Sequence, residues 1–341
     1  MSRPAEPLAL TLGDPAGIGP DITLLAFTAR NREQIPPFVF LGDAAILEAR
    51  AKALGLSVPI ATVQAHDEAM DAFAEALPVL PIPVPVPTTP GTPNLSAQDA
   101  VRHSIELAVE MVQSGEARAI VTNPVSKSQL YQRGFEFPGH TEYLAALAGG
   151  APPPHPVMML ASDTLKVVPA TIHIPLKDVP QALTAELLTN TIAITDRDMR
   201  RYFGIDRPRI AVSGLNPHAG EEGRLGREEV EMIAETIEAA QDAGLDVTGP
   251  HPADTLFHAA ARERYDAAIC MYHDQALVPF KTLAFEEGVN VTLGLPFVRT
   301  SPDHGTAFDI AGTGKASPRS LIEALRLADT MSAMAAARDA G

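Results

Sequence analysis

The chain has 341 residues, 46% of them apolar and 20% charged, a composition that excludes disordered and fibrous classes and supplies enough apolar side chains for about two hydrophobic cores. Its 26 basic and 42 acidic side chains leave a formal charge of −16, which excludes a surface that tracks nucleic-acid phosphates and requires an anionic ligand to meet locally placed cations. No run reaches the ~18 apolar residues of a membrane span, and the first residues lack the apolar core of a signal peptide, so a cytoplasmic chain without a membrane partner is expected.

In chain order, the apolar run Leu8–Leu12 predicts a strand, followed by the glycine-rich turn Gly13–Gly19 and a helix from Pro20 to Arg30. Phe38–Leu41 predicts the next strand and Ala44–Leu54 the next helix. A helix over 97–114, opened by Ser96 with Asp99 three residues on and closed by Gly115, leads into a strand at Ala117–Val121. Further helices end at Gly204 and Gly244, and a last one spans Ser317–Arg338. This alternation predicts an α/β protein with mostly parallel sheets covered by helices. Seven prolines fall between Pro78 and Pro93, and the apolar residues between them predict an edge strand running into an extended loop. Cys270 cannot form an internal disulfide, being the sole cysteine, and its apolar run marks it as a small buried hydrophobe.

Three of the ten histidines, His173, His218 and His273, follow apolar runs that read as buried strands. In open parallel sheets the ligand crevice lies beyond the carboxyl ends of the strands, so all three are expected on one sheet edge. Three imidazoles with an open position suit a catalytic divalent metal, and three separate hydrogen-bonded loop residues are the alternative. Asp254 is either the carboxylate that orients a metal-bound imidazole or a turn residue before a helix at 255–263. His140 and Thr141 open another helix, whose first amides suit a phosphate. The opening turn does not match G-x-G-x-x-G, and the loop Asp303–Lys315 has the small residues needed to wrap an adenosine group.

The segments Gly13–Asp21, Thr122–Lys127, Pro138–Glu142, Gly214–Glu221, Pro252–Thr255, Met271–Gln275 and Val289–Ser301 together resemble the 4-hydroxythreonine-4-phosphate dehydrogenase family of vitamin B6 synthesis, in order along nearly the whole chain. Asp303–Gly312 also resembles the cofactor loop of the isocitrate and isopropylmalate dehydrogenase fold, and the opening glycine turn is similar in both groups. The resemblance implies two α/β/α domains, 1–137 with 300–341 on the cofactor side and 138–299 for metal, substrate and dimerisation, with an interdomain active-site cleft. It implies a homodimer with shared active sites in which His273 comes from the partner chain.

On the family's pattern His173, His218 and His273 hold one divalent metal, zinc first and magnesium or cobalt as alternatives. His140, Thr141, Lys281, Asn290 and Arg299 bind substrate. Gly13, Asp303, His304, Gly305 and Gly312 contact NAD or NADP, and Lys281, or else Asp254, accepts the hydroxyl proton. The implied reaction is oxidation of 4-phosphooxy-L-threonine at its secondary alcohol, then decarboxylation to 3-amino-2-oxopropyl phosphate. The alternative substrate is a four-carbon sugar-acid 4-phosphate such as erythronate or threonate phosphate.

Overall fold

Short runs of apolar residues become strands where a helix returns the chain in parallel, fully buried in β1 and β2 and part exposed at the sheet edges. The computed structural model describes residues 6–82, 88–137 and 139–340. Its strands, numbered in chain order, begin with β1 (Leu8–Thr11), β2 (Phe38–Gly42), β3 (Ile60–Thr62), β4 (Leu77–Pro81) and β5 (Ile120–Val121). They continue with β6 (Val157–Ala161), β7 (Lys166–Pro169), β8 (Arg209–Ser213), β9 (Asp246–His251), β10 (Ala267–Cys270), β11 (Val289–Leu293) and β12 (Arg299–Pro302).

The chain divides into two compact units, Met1–Pro156 with Leu295–Ala336 and Val157–Gly294 with Ala337–Gly341. The divisions fall after residues 156 and 294, against 137 and 299 expected from the sequence. Residues 139–156 join the first unit because the helix His140–Ala148 is bonded to the helix Gln98–Ser114. Tyr143 donates its hydroxyl to Glu106 at 2.6 Å, and Gln113 donates to the carbonyls of Leu147 and Ala148 at 3.4 and 3.2 Å.

In the first unit the strand order is β3-β4-β2-β1-β5-β12, and β1 pairs in parallel with β2 and β5. The proline-bearing strand is not the edge that its composition suggests: β4 lies between β2 and β3, parallel to both. The sheet tolerates Pro78 and Pro81 because their neighbours carry the ladder. Leu77 donates to Pro59 O at 2.8 Å, Val79 O accepts from Val63 at 2.9 Å, and Ile82 donates to Gly42 O at 3.0 Å. Residues 83–87 of that segment lie outside the described residues. The helix Gln98–Ser114 opens through Asn94, whose side chain accepts from the Ser96 N–H, not through Ser96 itself, and Gly115 ends it in the left-handed region at φ 82°.

In the second unit the order is β11-β6-β7-β10-β8-β9, antiparallel from β11 through β7 and parallel from β7 to β9. Cys270 sits in its core with Leu160, Val167 and Phe280. Burial pushes the Cys270 thiol pKa up, which keeps it protonated. Among the described residues no helix is long and apolar enough to cross a membrane.

A buried ion pair anchors the turn after β1. Asp21, in the helix Gly19–Ala29, and Arg50, in the helix Ala44–Leu54, are 0% and 3% exposed and bonded to each other. Arg50 also donates to the carbonyls of Pro15 at 3.0 Å and Gly17 at 2.9 Å, while Asp21 accepts the Gly312 N–H at 2.7 Å. Nearly every polar direction of the pair is used. Gly13 has φ +67°, and a Cβ there would stand 2.6 Å from Asn123 Cβ, so only glycine fits the turn against that segment. Asp21→Asn and Arg50→Met are each expected to cost about 3–5 kcal/mol in urea unfolding, because each strands the other's buried group. The double variant should lose less than the sum of the two by at least about 1 kcal/mol.

Candidate functional site

The first unit concentrates positive charge around one imidazole. Arg299 opens β12 and is 4% exposed, with its Nη2 donating to Thr122 Oγ1 at 2.6 Å. Burial pushes the guanidinium pKa down to about 10, and it remains charged at neutral pH. His140 begins its helix, half-buried, and its Nε2 is buried with no hydrogen-bond partner. Burial, then the charges of Arg299 and Lys127, lower its pKa well below the ordinary histidine value, so the ring is neutral at pH 7. Thr141 is half-buried beside it. Lys127 starts the helix Lys127–Gln132, and a Cβ on Gly139 would stand 3.7 Å from its ammonium and 2.6 Å from Glu142 Oε2. The glycine lets the Glu142 carboxylate close against the backbone before His140.

An unpartnered buried ring nitrogen between two cations is a socket for an anion. Lys127 was not singled out from the sequence, although it lies in the quoted segment Thr122–Lys127. The available signal was its place just beyond β5, at the carboxyl end of a parallel strand.

The glycine turn and the loop beyond β12 form a second feature of this unit. The Ile18 N–H donates to Thr306 O at 2.9 Å, Asp303 N–H to Ser320 Oγ at 3.0 Å, and Gly312 N–H to Asp21. The loop is thus tied down at both ends. Gly305 has open space where a Cβ would be, and His304 Nδ1 lies 3.1 Å from the Gly305 carbonyl. Gly13 is sealed against Asn123, so its lack of a side chain serves packing of the turn.

The second unit carries the three histidines at the carboxyl ends of the adjacent parallel strands β7, β10 and β8. The rings of His173 and His273 face one another with centroids 5.7 Å apart, beside a cavity of about 270 Å³ that both line. Two imidazoles on one tetrahedral ion hold their centroids about 5 Å apart, so this pair fits metal ligation. His273 starts the helix His273–Ala284, and its Nδ1 is 2.7 Å from Asp274 Oδ1, which leaves Nε2 as the outward donor atom. The carboxylate beside this imidazole is therefore Asp274. Asp254 is exposed in the turn Ala253–Thr255, which packs beside the turn Pro217–Gly220.

His218 is held differently. It and Ala219 have φ of 55° and 50°, followed by Glu221 at 44° and Glu222 at 55°. Left-handed backbone at non-glycine residues costs free energy and persists where the surroundings enforce it. Here Glu229 does so, accepting from the Asn216 N–H at 2.7 Å and from Asn216 Nδ2 at 2.9 Å. Among the described residues no three of His, Cys, Asp and Glu form one ligand group. The chain brings the rings of His173 and His273 together.

Lys281 lies two turns along the helix from His273, with Nζ 5.3 Å from the Phe285 ring centroid. Asn290 stands on β11 with Oδ1 buried and without a hydrogen-bond partner. It is a second polar atom held ready for a ligand.

Residues 33–328 match the family described as pyridoxal phosphate biosynthetic protein PdxA. The chain is 56% identical over 335 residues to 4-hydroxythreonine-4-phosphate dehydrogenase of Methylorubrum populi, covering 97% of this chain and 96% of the relative. It is 56% identical over 338 residues to the enzyme of that name from Bradyrhizobium diazoefficiens, covering 96% and 98%. The crystal structure of 4-hydroxythreonine-4-phosphate dehydrogenase from Klebsiella pneumoniae superposes with a TM-score of 0.84 at 37% identity, covering 96% of this chain and 99% of that one.

A pH dependence follows from His140. Its folded-state pKa lies below its unfolded value, so the unfolded chain binds the extra proton first as pH falls. This group's stabilisation is complete above about pH 6.5 and is lost below it, by up to about 1.4 kcal/mol per pH unit. Urea unfolding at pH 7 and pH 5.5 should show a steeper acid loss for the wild type than for His140→Asn.

Proposed function

Because this chain belongs to the pyridoxal phosphate biosynthetic protein PdxA family of 4-hydroxythreonine-4-phosphate dehydrogenases, we propose that it oxidises 4-phosphooxy-L-threonine at C3 and releases carbon dioxide to leave 3-amino-2-oxopropyl phosphate. The observation that carries the substrate reading is the unpartnered His140 Nε2 beside the Arg299 and Lys127 charges. In a chain of net charge −16 these residues oppose the general field and favour a phosphate dianion. Arg299 supplies a forked donor and Lys127 a point charge. Neutral His140 donates through Nε2, and Thr141 closes the same end of the substrate.

A divalent metal, zinc by the borderline nitrogen donors of an all-imidazole set, would be held by His173, His273 and His218. When bound, the ion supplies Lewis acidity to the substrate hydroxyl and to the charge left as carbon dioxide departs, and a nicotinamide, NAD or NADP, accepts the hydride. Asp274 orients His273 by holding Nδ1. Lys281 accepts the hydroxyl proton, and Asn290 turns its Oδ1 to a substrate donor. The loop Asp303–Gly312, anchored through Thr306 and Gly312, contacts the cofactor at its open Gly305.

The enzyme acts as a homodimer, and His218 reaches the metal of the partner chain. This division is supported by the His173–His273 pair and by the separate, locally enforced turn that carries His218.

Two assays test these assignments. Unphosphorylated 4-hydroxythreonine should lower kcat/KM by at least about 1,000-fold, since remote phosphate binding positions the reacting carbon; comparable values would remove the phosphate role of His140 and Arg299. The second assay uses mixed dimers. Inactive His173→Ala and His218→Ala chains, once exchanged, should regain about a quarter of wild-type activity, because half the dimers are mixed and each of these has one intact site in two. A His173→Ala and His273→Ala mixture should regain none. The reverse pattern would assign His273 to the partner instead.

A further inference from the structure

A cavity of about 430 Å³ opens in the second unit away from the residues already assigned. Ala211 on β8 and Thr248 on β9 are register partners, so both side chains face it from the same side of the sheet. Leu256 and Tyr265 form an apolar floor, and the Tyr265 hydroxyl is already spent on Leu256 O at 3.1 Å. Thr255, Ala261, His251, His258 and Arg264 complete the lining, and no lining residue is acidic.

Arg264 is unusual in this chain. Most of the described arginines close on carboxylates, as in Arg133–Asp99, Arg200–Asp196, Arg209–Asp266 and Arg338–Asp206. Arg264 has no such partner among the described residues, though acidic side chains outnumber basic ones 42 to 26. Its charge acts on His251, which burial and then Arg264 hold below the ordinary histidine pKa. His251 Nε2 is fixed 2.9 Å from Thr248 Oγ1. Burial and the Arg264 charge keep the neighbouring His251 ring neutral, and an anion entering the cavity would meet that guanidinium with no carboxylate among the lining residues.

We propose that this cavity binds a phosphate monoester, with its phosphate between Arg264, His251 and His258 and its organic part on Leu256 and Tyr265. The volume lies within the range of small-molecule sites and exceeds what a bare phosphate ion fills. Arginine offers a fork matched to two phosphate oxygens, and two imidazoles add further donors. The site is separate from the proposed catalytic residues, so its occupancy does not depend on the dehydrogenase reading.

Titration calorimetry of the full-length protein with phenyl phosphate tests it. The wild type should show two classes of site per chain. Arg264→Gln and His251→Leu should each weaken one class by at least about tenfold with dehydrogenase turnover unchanged, and Arg299→Gln should weaken the other. Phenyl phosphate should bind the Arg264 site more tightly than inorganic phosphate, and phenol should not bind it. A single class of site removed by Arg299→Gln, or binding indifferent to both Arg264→Gln and His251→Leu, would overturn the proposal. Equal affinity for inorganic phosphate would overturn the monoester assignment.

Discussion

The buried pair Asp21–Arg50 is the constraint on which the first unit is organised. Two opposite charges at 0% and 3% exposure are costly to desolvate and are tolerated only when the remaining donors and acceptors are also satisfied. That requirement draws the carbonyls of Pro15 and Gly17 and the amide of Gly312 onto the pair, two segments far apart in sequence. The turn after β1 and the loop after β12 cannot then move independently. Asp14 reinforces the turn, accepting from Ala16 and Gln98 while burial raises its pKa.

The chemistry of both units gathers where parallel strands end. A parallel strand delivers its last residue to the same edge as its neighbours, whatever the length of chain between them. Hence β1 leads to the glycine turn and β5 to Thr122–Lys127, while β7, β10 and β8 lead to His173, His273 and His218. The same rule accounts for the separation of roles within an edge. His273 inherits the rigidity of the helix that it starts, whereas His218 sits on a left-handed turn held by Glu229.

Electrostatics in this acidic chain is local. Most of the described arginines are neutralised by a nearby carboxylate, so the places where cations gather around an imidazole stand out. Arg299 with Lys127 and His140 is one, and Arg264 with His251 is another. Burial strengthens the first through Arg299, which is 4% exposed, while Lys127 stands exposed.

Much of this was legible in the sequence by itself. Periodicity and glycine stops placed the strands at Leu8 and Phe38 and the helix ends at Gly115 and Gly204, because those signals act over one or two turns of backbone. Motif order along the chain carried the family, and the alternation of strand and helix signals carried the α/β class. Tertiary structure decided what depends on distant partners. The position of β4 inside the sheet follows from hydrogen bonds to β2 and β3, which proline content cannot report. The first unit's hold on residues 139–156 rests on Tyr143 and Gln113 meeting a helix some 35 positions away. Lys127 joined His140 and Arg299 only through the fold, and Asp274 stands beside His273 because the helix start sets its carboxylate against the ring. Which histidines neighbour one another was likewise a matter of strand order: the sequence could bring three of them to one edge, and only the packed turns could place the ring of His173 beside that of His273.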